Sequence, residues 1–323
     1  MTPKPNGKTR MKVRTFTRSE ERERRPAPAR EPRRAAKLRM GLNLWAVPGR
    51  LSWDEALAEA AHAEFDGVEP NLEKDGWITP EMTSQELRAR GDAARQAGLE
   101  IISLSSGLLW GKSLTAGEAT ERRQARELVI RQMQVAAELG TDAILVVPGA
   151  VDVFFMPERP RVRYDLAMKR LLDALDDLVP VAEREGVTIA LETVWNRFLL
   201  SPIEFKLLLD RFDSERLAAY LDVGNLQLYA YPQDWIDILG KRIARVHAKG
   251  FRRAGGAGTD AGFCGLLEGD IEWPEIVAAL GRAGYHGWMT AEMFRPGRMP
   301  PHLFLSEVAA ELRWITSLEG ARS

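Results

Sequence analysis

A chain of 323 residues, 45% hydrophobic and 28% charged, has the composition of an ordinary globular protein and the length of one large domain. No apolar run approaches the roughly 20 residues of a membrane span, and the N-terminus lacks the apolar core of a secretory signal, so a cytoplasmic location is the default expectation. The single cysteine, Cys264, excludes an internal disulfide and a thiolate zinc site, and no histidine is placed to activate it as a nucleophile.

The net charge of −1 hides an asymmetry: residues 1–39 carry 14 Lys/Arg against 4 Asp/Glu, and the remainder carries 31 against 42. The first 39 residues are rich in Arg, Pro and Glu and poor in large apolar groups, which predicts a disordered basic N-terminal extension. A nucleic-acid-binding arm is the functional alternative for such a segment, but the acidic body disfavours nucleic acid as a partner. Regular periodicity begins beside Met40, a candidate start of translation, and residues 40–323 read as a single domain.

From there, short apolar or β-branched runs alternate with longer stretches of helical spacing. Strands are expected at 40–46, 67–70, 100–105, 143–147, 188–192, 218–222, 243–248 and 287–292, and helices near 53–64, 83–97, 116–139, 164–185, 202–211, 233–240, 273–283 and 303–317. Ser52 with Glu55 makes a capping box at the first helix, and Gly98, Gly140, Gly186 and Gly284 stand where a left-handed helix end precedes the next strand. Strict alternation predicts a parallel sheet, and eight units favour closure into a (β/α)8 barrel. Leu42-Asn43-Leu44-Trp45 replaces the glycine-rich turn a dinucleotide-binding sheet would need after its first strand. The long connections, 71–82, 106–115, 148–163 and 249–272, all follow strands, on the side where such barrels build substrate sites.

Four ligand-type side chains end successive strands: Glu192, Asp222, His247 and Glu292. Each follows an apolar residue that must face the helices, so period-two alternation aims the polar group into the barrel mouth. Three carboxylates there would repel one another unless their pKa values rise or a cation sits between them. Oxygen-rich ligation with one imidazole suits one divalent cation, Mn2+ first and Mg2+ or Co2+ next. A lone acid or imidazole at a strand end more often orients a loop, but four on consecutive strands favour the metal.

Glu69 ends the second strand and is expected to orient His247 or a substrate hydroxyl, with a loop hydrogen bond as the bland alternative. Lys249, Arg252 and Arg253 follow His247, and Arg295 and Arg298 follow Glu292; they either bind substrate hydroxyls or a phosphate, or lie on solvated loops. Trp45, Trp110 and Trp195 follow the first, third and fifth strands, where rings either wall a sugar site or pack beneath loops. His62, His286 and His302 have no expected role.

Leu191-Glu192-Thr193-Val194-Trp195-Asn196, Leu221-Asp222-Val223-Gly224-Asn225, Val246-His247-Ala248-Lys249-Gly250 and Ala291-Glu292-Met293, with Gly107 and Leu267–Trp273, resemble the sugar phosphate isomerase/epimerase family with the xylose isomerase-like TIM barrel. The resemblance runs from about residue 40 to 318 and includes ketose 3-epimerases and ribulose- or hexulose-phosphate 3-epimerases. It implies that Glu192, Asp222, His247 and Glu292 are the metal ligands and that Glu192 and Glu292 are the two catalytic acid/base groups. It further implies a small carbohydrate substrate, proton transfer beside a ketose carbonyl through a metal-held enediolate, and a homodimer or homotetramer. Asn225 stands where the free-sugar epimerases carry histidine, as in phosphosugar-like members, and Arg253 stands at the spacing of their substrate-binding arginine, although Arg252 blurs that register. The alternatives on the same barrel are a metal-dependent lyase or dehydratase, including C-glycoside-cleaving enzymes, and a non-catalytic sugar-binding barrel.

Overall fold

Alternation of strand and helix is the plan of the computed structural model, which describes residues 37–253, 262–297 and 299–319. The expected extension, apart from its last three residues, and Arg298 lie outside the described residues. Eight parallel strands form one sheet: β1 (Arg39–Asn43), β2 (Gly67–Glu69), β3 (Glu100–Ile101), β4 (Ala143–Val146), β5 (Thr188–Glu192), β6 (Leu217–Asp222), β7 (Ile243–Ala248) and, after a two-stranded hairpin of β8 (Gly250–Arg252) and β9 (Gly262–Cys264), β10 (Trp288–Ala291). Between them run α1 (Trp53–His62), α2 (Ser84–Gln96), α3 (Leu108–Gly111), α4 (Ala119–Leu139), α5 (Tyr164–Glu185), α6 (Pro202–Asp210), α7 (Val223–Gln227), α8 (Pro232–Leu239), α9 (Trp273–Arg282) and α10 (Pro301–Ser317). None of the described helices is long and apolar enough to cross a membrane.

The sheet order β3-β2-β1-β10-β7-β6-β5-β4 leaves β3 and β4 at its two ends, and a parallel bridge between Leu104 and Ile144 joins them into a ring. At this seam Leu145 N donates to Leu104 O at 3.0 Å, and the Gln132 amide, on α4, donates to Leu104 O at 2.8 Å and Leu145 O at 3.0 Å, adding a side-chain clasp to the ladder. The third strand is therefore regular only over two residues and continues to Ser105 through single bridges, shorter than its apolar run suggested.

Helix ends follow local chemistry. Ser52 and Thr83 accept from the amides of Glu55 and Glu86, whose carboxylates bond back, so both boxes are complete. Gly98, Gly140, Gly186 and Gly284 all take positive φ, as a left-handed helix end requires. Two boundaries shift. The first strand ends at Asn43, whose side chain accepts from Trp45 N and starts a 3-10 turn over Leu44–Ala46. At its other end Arg39, counted with the extension by its charge, is a strand residue that pairs with Glu100 and lies 3.7 Å from the centre of the Trp288 ring.

Alternation sorts side chains into two buried sets. Ile189, Leu191, Ala219, Leu221, Val246 and Ala291 belong to the large core shared with the helix faces, whereas Leu145, Ala190 and Tyr220 form a separate cluster. The second set occupies the barrel interior, one pleat below the strand-end polar groups.

Candidate active site

Glu192, Asp222, His247 and Glu292 each place one ligand atom within 4.8 Å of the others, and all four residues are buried. β5, β6 and β7 are neighbours and β10 pairs with β7, so the four come from four consecutive strands of the ring. Glu292 follows the last residue of β10, but its amide donates to Ala248 O at 3.1 Å and extends the ladder.

Each ligand atom is singled out by what its partner atom does. Asp222 caps α7: its Oδ1 accepts from Asn225 N at 2.7 Å, which leaves Oδ2. His247 Nε2 lies 2.7 Å from Glu69 Oε2, and since the acceptor is a carboxylate, Nε2 donates; Nδ1 faces Glu292 Oε2 at 3.2 Å and Asp222 Oδ2 at 3.8 Å. Asn225 Nδ2 donates to Glu192 Oε1 at 3.3 Å and to Thr193 O at 3.1 Å, fixing that carboxylate.

Glu69 sits beneath His247 and is sealed from solvent. Besides His247 it accepts from Asn43 Nδ2 at 2.6 Å, Ser103 Oγ at 2.6 Å and Tyr220 OH at 2.7 Å. Burial opposes its charge, yet His247 and the donors Ser103 and Tyr220 hold its carboxyl below the usual carboxylate range. Of the roles weighed for Glu69, the geometry matches the orientation of His247. Tyr220 and Ser103 were missed from the sequence; Tyr220 stands two residues before Asp222 on the same inward face, and that spacing was the available signal.

Lys249 provides the local counter-charge. Its Nζ lies 2.5 Å from Glu292 Oε2 and 3.1 Å from Asp222 Oδ2. Burial disfavours the ammonium, but Asp222, Glu292 and Glu192 outweigh it and raise its pKa. Glu292 is buried too, and Lys249 and His247 hold it well below the usual range. Glu192 goes the other way: burial first, then the charges of Glu292 and Asp222, push it up to about 8. Asp222 Oδ2, His247 Nδ1 and Glu292 Oε2 are buried and take part in no hydrogen bond of good geometry; what balances the two oxygens is the Lys249 ammonium, with the imidazole beside Glu292 at 3.2 Å. Three carboxylates and one imidazole converging on one point, with a single ammonium as counter-charge, fit a hard divalent cation in both number and donor type.

Beside this cluster lies a cavity of about 530 Å³ whose floor includes Glu192, Glu292, Asn225 and Lys249. Trp45, Trp110 and Trp195 all line it, and Trp110 and Trp195 also pack against the core, so the two roles weighed for these rings coexist. Phe154, Phe155, Phe263 and Phe294 complete the wall and were not anticipated; the first three sit in long connections that follow strands and Phe294 in the segment after β10, where sequence spacing gives no direction. The Trp195 ring stacks on Phe263 at 4.8 Å, and its Nε1 donates to Asn225 O at 2.7 Å.

The arginines go elsewhere. Arg253 donates to Gln227 O at 2.9 Å and Ala230 O at 3.2 Å, Arg252 to Glu268 O at 2.8 Å, and Arg295 to Met299 O. Neither Arg253 nor Arg295 lines the cavity. Backbone carbonyls at the ends of α7 and of the last loop capture these guanidinium groups first. His286 pairs with Glu319 at 3.0 Å, and His62 and His302 lie on α1 and α10.

A ring of eight parallel strands carrying its polar cluster at the C-terminal ends defines a class of barrel. The chain belongs to the xylose isomerase-like TIM barrel family, whose model matches residues 57–318. It is similar, at 25% identity over 280 residues, to the L-ribulose-5-phosphate 3-epimerase UlaE of Escherichia coli O1:K1 / APEC, covering 85% of this chain and 93% of the relative. Among solved structures it resembles D-psicose 3-epimerase crystallised with D-fructose, at TM-score 0.71 and 16% identity, over 88% of this chain and all of the other. D-psicose 3-epimerase of Clostridium cellulolyticum H10 with D-tagatose gives TM-score 0.72 at 15% identity, over 87% of this chain and 99% of the other. At such identities these two likenesses speak for the fold.

Proposed function

We propose that the chain is a divalent-metal-dependent ketose epimerase that inverts the carbon beside the carbonyl by moving a proton between two glutamates. The observation that carries this reading is the convergence of one ligand-type atom each from Glu192, Asp222, His247 and Glu292 within 4.8 Å, with Glu192 and Glu292 lining the cavity. The relatives named 3-epimerases support the substrate class. Glu192, Asp222, His247 and Glu292 would hold the ion, Mn2+ by preference for this mixed oxygen and imidazole set. The ion, when bound, supplies Lewis-acid polarisation of the carbonyl.

Chain residues do the rest. Glu192 and Glu292 both face the cavity and stand on strands separated by β6 and β7, so each approaches a bound ketose from its own side. One carboxylate takes the proton and the other returns one to the opposite face, which inverts the carbon. Asn225 orients Glu192, Glu69 orients His247, and the tryptophan walls keep water from the reacting carbon.

The test is solvent exchange. The Mn2+-loaded protein in D2O, given D-fructose, D-psicose or L-ribulose, should place deuterium on the carbon beside the carbonyl and yield the epimer. Glu292→Gln should lower turnover by about 100-fold or more while the fold is kept. Turnover of that variant at the wild-type rate would rule out the two-glutamate scheme.

A further inference from the structure

The cavity is divided by chemistry. Its polar groups, Glu192, Glu292, Asn225, Lys249 and Ser106, belong to the strand ends and the first turns after them, while the outer wall is built of rings. The rings interlock: Trp110 meets Phe155 at 5.0 Å, Phe155 meets Phe154 at 5.3 Å, Phe154 meets Trp195 at 5.8 Å, and Trp195 stacks on Phe263. Phe154 is 62% exposed and Phe155 49%, so these faces are built yet not covered by the chain itself. Phe154, Val194 and Trp195 also border an adjoining groove of about 310 Å³, where Leu200 and Leu228 extend the apolar surface and Asp152 and Arg197 stand at its edge.

A ketose carries a hydroxyl on nearly every carbon. At the floor those groups find partners; along the ring wall they would be stripped of water and left unpaired, which costs roughly 1–3 kcal/mol for each such group. The space, about 530 Å³, is that of sites for drug-sized ligands, on the order of 300–1,000 Å³. A phosphate is served no better. Among the described residues the cavity has one cationic side chain, Lys249, already paired with Asp222 and Glu292, and Arg197 in the adjoining groove lies 3.4 Å from Asp152.

We infer that the substrate is a keto sugar bearing a flat aryl group on the end remote from the reacting carbon, with the sugar on the carboxylate floor and the aryl ring between Trp110, Phe154, Phe155 and Trp195. This rests on the proposed epimerase reading for the sugar end and adds the class of group that fills the outer cavity.

Binding separates the two ideas. The Mn2+-loaded protein is titrated with D-fructose, its 6-O-benzyl ether and D-fructose 6-phosphate, followed by calorimetry and by quenching of the tryptophans that line the cavity. The benzyl ether should bind about tenfold or more tightly than D-fructose, the gain expected from burying one aromatic ring. Phe154→Ala, an exposed position whose truncation leaves the core intact, should shrink that ratio several-fold. Equal or weaker binding of the ether, or tightest binding of the phosphate, overturns the inference. Deuterium exchange into D-fructose is recorded alongside: exchange without a benzyl preference removes the aryl group and leaves the epimerase, whereas a benzyl preference with neither metal uptake nor exchange supports the apolar subsite and removes the epimerase reading.

Discussion

Glu69 accepts four hydrogen bonds in a place solvent does not reach, and one of its donors is the imidazole that turns Nδ1 towards the other ligands. A carboxylate behind a ligating histidine fixes both its tautomer and its orientation, so its loss reduces metal affinity without touching the ion. Glu69→Gln, which adds a donor where four donors already converge, should weaken Mn2+ binding by about 10–100-fold in calorimetric titration. Unchanged affinity would mean that His247 is held by other contacts. Glu192 supplies a prediction in pH. Its pKa rises in the folded protein from 4.5 to about 8, because burial and the charges of Glu292 and Asp222 all disfavour ionisation. A raised acid pKa means that the folded state binds the proton more tightly than the unfolded state; the contribution to stability is complete below pH 4.5 and is lost as pH climbs through about 8. The melting temperature of chelator-treated protein should therefore fall across that window by more in the wild type than in Glu192→Gln. Parallel melting curves for the two proteins would contradict this.

Single elements obeyed local rules where side chains had regular directions. The box at α1 was readable because a Ser and a Glu three residues apart precede an apolar run, and both of its hydrogen bonds are present. Ser52→Ala should cost about 1 kcal/mol, read as a lower urea midpoint with unchanged slope; no shift would mean that packing alone holds the start of α1. The left-handed glycines and the inward aim of Asp222 and His247 were readable for the same reason, namely a fixed period. Arg253 and Arg295 were not. Both lie in irregular segments where sequence spacing sets no direction, and nearby carbonyls capture their guanidinium groups. Phe154, Phe155 and Phe263 escaped notice in the mirror-image way: long connections after strands marked where site material would lie, but not which side chains would turn inward. Gly224 shows a constraint that becomes visible only in three dimensions. A Cβ there would come within 2.6 Å of Lys249 O, so α7 and β7 approach as closely as they do only with glycine, and that approach sets Lys249 beside Asp222.

At the scale of the whole molecule, the barrel followed from counting alternating units, and its ring order follows chain order around the whole circuit. The seam between β3 and β4 did not follow, because a helix side chain, Gln132, takes part in hydrogen bonding that strands normally complete alone. What unites fold and proposed chemistry is that four neighbouring strands end at one height, so residues far apart in sequence meet at one point. The most direct test of the account is a calorimetric titration of the chelator-stripped protein with Mn2+, run beside Asp222→Asn. The account predicts saturable uptake of about one ion per chain, weakened by at least tenfold in the variant; absence of saturable uptake, or equal affinity in both proteins, would contradict it.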